Sequence, residues 1–310
     1  MYKRQADHVN DSPVFLHVNL QFYDIILLDK ANQGDPMKMH EFGKDNQKII
    51  LLIHPSMVMW DYFERVIPLL EKEYHLVIPA LPGYDPENRQ DFTSIEEIAE
   101  ELENWFLERR YAKADCVYGC SMGGSVVVRL LANRHLDIHS AILDGAITPY
   151  QLPWLITRGI ALRDFLVVSM GKLGGIKILE RAFSTDELSK EDIEYLGNLM
   201  KTVSYKTIWN TFDSCNNYTM PPKIKTTCKR ISYWYADREK KERKWDMQYI
   251  QKHFPNTVFK EFENVGHGGM ALQYPELFVE EMYALMKKMK YDPFFPSASF
   301  EYNIGNDCRR

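Results

Sequence analysis

Residues 119 to 123 read Gly119-Cys120-Ser121-Met122-Gly123, a Gly-x-Ser-x-Gly run set between an apolar stretch and a helix-forming one. Ala114-Asp115-Cys116-Val117-Tyr118 before it reads as a short buried strand, and Ser125 to Ala132 after it as a helix. A chain that leaves a strand, turns sharply and enters a helix forces the middle residue into a strained backbone conformation and throws its side chain clear. Only small residues fit beside such a turn, and glycines stand two before and two after Ser121. The N–H of Met122, opening the helix, would then point with the helix dipole at any negative charge formed beside Ser121.

The rest of the chain has the rhythm this turn needs. Ile49 to Ile53 is a continuous apolar strand, Tyr62 to Lys72 an amphipathic helix and His75 to Pro79 a strand. Thr93 opens a helix running to Arg110, with Glu96 in capping-box position, and Ser140 to Leu143 is the next strand. Strands alternating with helices at this spacing predict an α/β fold with a mostly parallel sheet covered on both faces. Val14 to Leu20 and Tyr23 to Leu28 read as an antiparallel pair at one sheet edge. The rhythm stops near Thr148 and resumes with a strand at Arg230 to Tyr235, a helix at Lys244 to His253, a strand at Thr257 to Phe262 and a closing helix at Gly268 to Lys290. Between lies a helical stretch rich in large apolar side chains, among them Trp154, Phe165, Phe183, Trp209 and Phe212. The expected organisation is a core of 22–147 and 223–290, a helical cap inserted at 148–222, and peripheral tails at 1–21 and 291–310.

Charge narrows the partners. The 310 residues carry 43 acidic and 38 basic side chains, a net charge of −5 with no basic stripe, which points away from nucleic acid and toward a small-molecule substrate. No apolar run approaches the roughly 20 residues that span a bilayer. Five scattered cysteines without a Cys-x-x-Cys pair read as reduced thiols in a cytoplasm, with Cys215 and Cys228 able to pair in an oxidising compartment. Met1-Tyr2-Lys3-Arg4-Gln5 resembles the translation of a transposase adapter used in DNA library preparation, so the native start is expected to be missing. The pattern specifies no oligomer.

A serine hydroxyl needs a base within hydrogen-bond reach, itself oriented by an acid. Among nine histidines, His267 stands in Asn264-Val265-Gly266-His267-Gly268-Gly269, after a strand and before the last helix, at the same sheet edge as Ser121. The acid is expected after the preceding strand. Asp237 is the first choice there, with Glu239 two residues on and Asp144, after the strand following the Ser121 helix, as alternatives. A second oxyanion donor is expected in Ile53-His54-Pro55-Ser56-Met57. Pro55 has no N–H, so the donor is the backbone of Ser56 or Met57, with Ser56 preferred. No metal or cofactor is expected.

Taken together, His54-Pro55 after a strand, Pro79-Ala80-Leu81-Pro82-Gly83-Tyr84 after the next, the 119–124 turn, Asp237 and Gly266-His267-Gly268 resemble the α/β-hydrolase fold superfamily over residues 22–290. The resemblance implies a serine-dependent reaction with a capping segment, and the serine at the turn argues against the epoxide hydrolases and haloalkane dehalogenases, which use an aspartate there. The expected activity is hydrolysis of an ester or thioester of a small, largely apolar acyl group through an acyl-enzyme. The alternatives are carbon–carbon bond cleavage of an anionic substrate, with Arg158 and Arg163 as candidate carboxylate partners, and a non-catalytic binding protein of the same fold.

Overall fold

The computed structural model describes residues 37–88, 90–149, 152–175 and 190–287, the side chains of 190–193 excepted. The two N-terminal strands expected at 14–28 lie outside the described residues. Among the described residues, seven strands form one sheet: β1 Met39–Phe42, β2 Ile49–Ile53, β3 His75–Pro79, β5 Cys116–Cys120, β7 Ser140–Asp144, β8 Arg230–Ala236 and β9 Val258–Phe262. Their spatial order is β1-β3-β2-β5-β7-β8-β9. Every neighbouring pair is parallel except β1 with β3. A two-residue pair, β4 Lys113–Ala114 with β6 Asp137–Ile138, lies beside it.

Because successive strand residues point to opposite faces, the continuous apolar strands feed two cores at once. Leu51, Ile53, Val117, Leu143 and Tyr233 join one cluster with the helices α2 Ile95–Glu108 and α3 Met122–Asn133. Their neighbours Ile50, Leu52, Tyr118, Ile142 and Trp234 join the other, against a 3-10 turn at Trp60–Phe63, α1 Ile67–Leu70 and the C-terminal helices α8 Met270–Gln273 and α9 Pro275–Met286. The helix α7 Lys244–His253 runs between β8 and β9 as expected. The four described cysteines, all buried, are free thiols.

Two expected helices are broken, each at a proline. Tyr62 to Lys72 becomes the 3-10 turn and α1, with Pro68 in the first turn of α1. Gly268 to Lys290 becomes α8 and α9, the second opening on Pro275. Proline has no N–H to donate to the preceding turn, so it suits a helix start and ends the one before it. The cap of α2 is Ser94 rather than Thr93: its Oγ accepts the Glu97 N–H at 3.1 Å.

Among the described residues, three helices lie between β7 and β8: α4 Trp154–Gly174, α5 Lys190–Thr202 and α6 Tyr205–Asn217. α6 is tied to the core by Tyr84 to Thr211 at 2.7 Å and by Thr207 Oγ1 accepting the Phe92 N–H at 3.1 Å. α4 leaves Trp154, Leu155, Leu166 and Leu173 mostly exposed. Among the described residues no helix is long and apolar enough to cross a membrane.

Candidate active site

Parallel strands end at one edge, and register decides what meets there. Cys120 lies opposite Asp144, Asp144 opposite Trp234, and Ala236 opposite Phe262, so the residues just after β5, β7, β8 and β9 emerge side by side. The ladder continues one step past two strand ends: the Ser121 N–H donates to the Asp144 carbonyl and the Gly145 N–H to the Trp234 carbonyl, each at 2.8 Å.

Ser121 follows β5 with φ 51° and ψ −114°, a conformation costly for any residue with a Cβ. The flanking glycines are required by proximity. A Cβ on Gly119 would collide with the Gly123 carbonyl, and one on Gly123 with the carbonyls of Ile53 and His54. α3 therefore approaches the ends of β5 and β2 closely enough that Met122, its first residue, stands next to the loop after β2. As a first-turn residue, Met122 has an N–H without an intrahelical acceptor.

On the far side of β7, His267 comes in on the loop after β9. Its Nδ1–H donates to Glu239 Oε2 at 2.7 Å. Asp237, the expected acid, does not take that place: its Oδ1 is buried without a hydrogen-bond partner. The difference lies in the 3-10 turn at Asp237–Glu239. That turn swings the third residue back over the end of β8, where Glu239 Oε1 accepts the Ala236 N–H at 2.9 Å and leaves Oε2 for the imidazole. Arg243 Nε stands 3.5 Å from the same Oε2. Burial works to raise the Glu239 carboxyl, but the His267 hydrogen bond and charge, the Ala236 N–H and Arg243 outweigh it and hold the group below its ordinary value. A cue was present in the sequence. A glutamate at the third position of a helical turn can reach back to the N–H of the residue before the turn, as Glu239 does to Ala236.

Asp144, the alternative acid, is buried near the same imidazole but bonded elsewhere. Tyr118 Oη donates to its Oδ2 at 2.5 Å. Burial pushes its carboxyl up to about 6, against the Tyr118 hydrogen bond and the nearby His267. Tyr62 Oη donates to the Gly268 carbonyl at 2.6 Å, so the 3-10 turn after the β2 loop also holds the residue next to His267.

The β2 loop is anchored by His54. Its Nδ1–H donates to the Pro55 carbonyl at 2.8 Å while Nε2 accepts the Leu81 N–H at 3.4 Å. Burial pushes this imidazole down to about 4, against the Pro55 hydrogen bond, so it is neutral and fixed in one tautomer. Ser56 and Met57 follow, Met57 with φ 63°. Arg158 and Arg163 are not at a carboxylate site: Arg158 pairs with Asp213 and lies over the Trp154 ring, and Arg163 pairs with Asp164. Among the described residues no three His, Cys, Asp or Glu side chains converge as a metal site.

Residues 50–281 match the sequence model of the alpha/beta hydrolase family. The chain belongs to the alpha/beta hydrolase family. No curated protein matches it. Among solved structures it is similar to a protein from Desulfitobacterium hafniense placed in the same family, 21% identical over 79% of this chain and 98% of that one, with a TM-score of 0.63. It is also similar to MenH from S. aureus (16%, covering 80% and 97%, TM-score 0.62) and to the esterase EaEST from Exiguobacterium antarcticum (18%, covering 81% and 95%, TM-score 0.61). At these identities the likeness carries the fold. Family membership makes hydrolase the activity class, and the residues at the sheet edge carry the finer reading.

Two outcomes test the arrangement of this alpha/beta hydrolase. Gly145 has φ 54°, and a Cβ there would sit 2.7 Å from His267 Cε1 and 2.9 Å from Nδ1. Gly145→Ala should therefore displace the imidazole and lower kcat about 100-fold, while the left-handed backbone costs about 1 kcal/mol of stability. Steady-state kinetics and a melt check both, and full activity would show that the imidazole need not stay where it is. Asp144 binds a proton more tightly folded than unfolded, so its effect on stability is most favourable below its unfolded pKa and is lost as pH rises through about 6. Asp144→Asn keeps an acceptor for Tyr118 and should gain on wild type between pH 4 and pH 8 by on the order of 3 kcal/mol. A Tm difference flat across that range would contradict it.

Proposed function

We propose that the protein is a serine hydrolase that cleaves an ester or thioester of a small, largely apolar acyl group. The observation that carries this reading is the His267–Glu239 hydrogen bond at 2.7 Å, made at the sheet edge where Ser121 stands in a strained turn. With Nδ1–H committed to a carboxylate, the free ring nitrogen Nε2 is the basic one, as a proton acceptor for Ser121 requires.

In this reading Ser121 Oγ attacks the acyl carbonyl carbon while His267 takes the hydroxyl proton. The N–H groups of Met122 and Ser56 bind the oxyanion. Collapse of the tetrahedral intermediate breaks the bond to the leaving group, which receives the proton from His267. Water then attacks the acyl-enzyme by the same steps and restores Ser121. Glu239 keeps the imidazole in its tautomer and stabilises the imidazolium.

The cap expected at 148–222 supports the substrate side of the proposal. α5 reaches the loop after β2 through Tyr195, and Met57 and Ile147, close along the chain to Ser56 and Gly145, are partly buried apolar side chains packed against the core. An anionic substrate fits less well, because Arg158 and Arg163 already have carboxylate partners. The free thiols suit the cytoplasmic location expected from the sequence.

The test is labelling of purified protein with a fluorophosphonate probe, followed by adduct mapping and a screen of short-chain esters and thioesters. An adduct on Ser121 together with ester turnover is the expected result. Folded protein that neither labels nor turns over any of these would overturn the proposal in favour of a binding protein of the same fold.

A further inference from the structure

The loop carrying Ser56 is held at both ends, and the two holds come from different parts of the molecule. At its inner end His54 is fully buried and bonded to Pro55 and Leu81. At its outer end the Met59 N–H donates to Tyr195 Oη at 3.1 Å, and Tyr195 Oη donates in turn to Asp61 Oδ1 at 2.6 Å. Tyr195 belongs to α5, one of the helices between β7 and β8. Next to Met59, Trp60 is stacked on His40 of β1 with ring centroids 3.9 Å apart, so the turn beyond the loop is seated against the sheet.

Between these holds the backbone passes through Met57 at φ 63°, a left-handed conformation that an L-residue does not favour. A loop of that kind keeps its shape because its surroundings impose it. Pro55 has no N–H, so the direction of the backbone donors at Ser56 and Met57 depends on that imposed shape.

We propose that Tyr195 is a positioning residue that sets the oxyanion-binding loop according to where α5 lies. The inference rests on the serine-hydrolase reading and adds to it a link between the inserted helices and the reacting edge. When α5 is seated, one hydroxyl joins Met59 and Asp61 and fixes the loop. When α5 is displaced, that hydroxyl leaves both partners and the loop loses its outer hold. The chemistry is then matched to closure of the helices over an acyl group, with Tyr195 acting through the loop rather than on the reacting atoms.

Tyr195→Phe tests this, because it removes the hydroxyl and keeps the ring. With p-nitrophenyl butyrate, kcat should fall about tenfold with KM within about twofold, since a misaligned oxyanion donor acts on the transition state and hardly on ground-state binding. The second-order rate of fluorophosphonate labelling at Ser121 should fall by a similar factor. Amide hydrogen exchange of the peptide spanning 55–61 should accelerate. Unchanged kcat and labelling rate in a folded variant, whether or not its Tm drops, would reduce Tyr195 to a structural brace and overturn the proposal. If the wild type neither labels nor turns over esters, the serine-hydrolase reading fails separately. Hydrogen exchange then still decides whether Tyr195 holds the loop, and unaltered exchange at 55–61 would overturn that as well.

Discussion

Glu239→Gln is expected to lower kcat about 10³- to 10⁴-fold while the protein stays folded. The direction follows from what each end of the side chain must do. Oε1 accepts the Ala236 N–H, so the amide oxygen of a glutamine is claimed by that bond and its NH2 falls on His267 Nδ1. An NH2 donor there selects the imidazole tautomer protonated at Nε2, which cannot take the Ser121 proton. Asp237→Asn is the paired control. Its Oδ1 has no hydrogen-bond partner, so the change should leave kcat within about twofold and stability unchanged or slightly higher. Steady-state kinetics on both variants separates the two acids. Collapse of the asparagine variant with survival of the glutamine one would return the role to Asp237.

Ser121 carries the second large effect. Ser121→Ala should lower turnover by on the order of 10⁴- to 10⁶-fold and abolish fluorophosphonate labelling, leaving only what binding and the oxyanion donors supply. Ser121→Gly should be equally inactive but should melt higher than the alanine variant. Alanine keeps a Cβ at φ 51°, whereas glycine adopts that backbone freely. Strain of this kind costs on the order of 1–3 kcal/mol, and the added chain entropy of glycine returns about 0.5–1 of it, for a net gain of about 1 kcal/mol. A glycine variant melting below the alanine one would show that the turn stores no such strain. Residual turnover at the wild-type rate in either would remove Ser121 from the mechanism.

The central sheet was legible because its strands are continuous apolar runs. Ile49–Ile53 and His75–Pro79 are strands where the sequence predicts them, and Lys244–His253 is a helix at the predicted bounds. A parallel sheet covered on both faces buries successive residues on either side, and the resulting apolar runs leave a clear mark. The serine turn was equally legible, since three closely packed backbones leave room only for glycine at 119 and 123. The misses came from short-range geometry. Tyr62 to Lys72 has a helical apolar period, yet Pro68 splits it. At the acid, position counted from the strand end favoured Asp237. A single 3-10 turn and the longer reach of glutamate gave the contact to Glu239, which a residue-spacing argument weighs too lightly. The Tyr195 contact had no sequence signal, because Met59 lies 136 residues away from it along the chain.

The same Glu239 carboxylate closes the end of β8 and holds the imidazole, the second only once β9 has brought His267 alongside. Under the proposed mechanism this gives the growing chain a built-in silence. A ribosome-bound chain that has made the Ser121 turn lacks the anchor Glu239 for 118 further residues and the base His267 for 146. Its serine meets cellular esters and thioesters as an ordinary hydroxyl. Reactivity arrives when β9 docks, so partly made or misassembled chains do not acylate themselves.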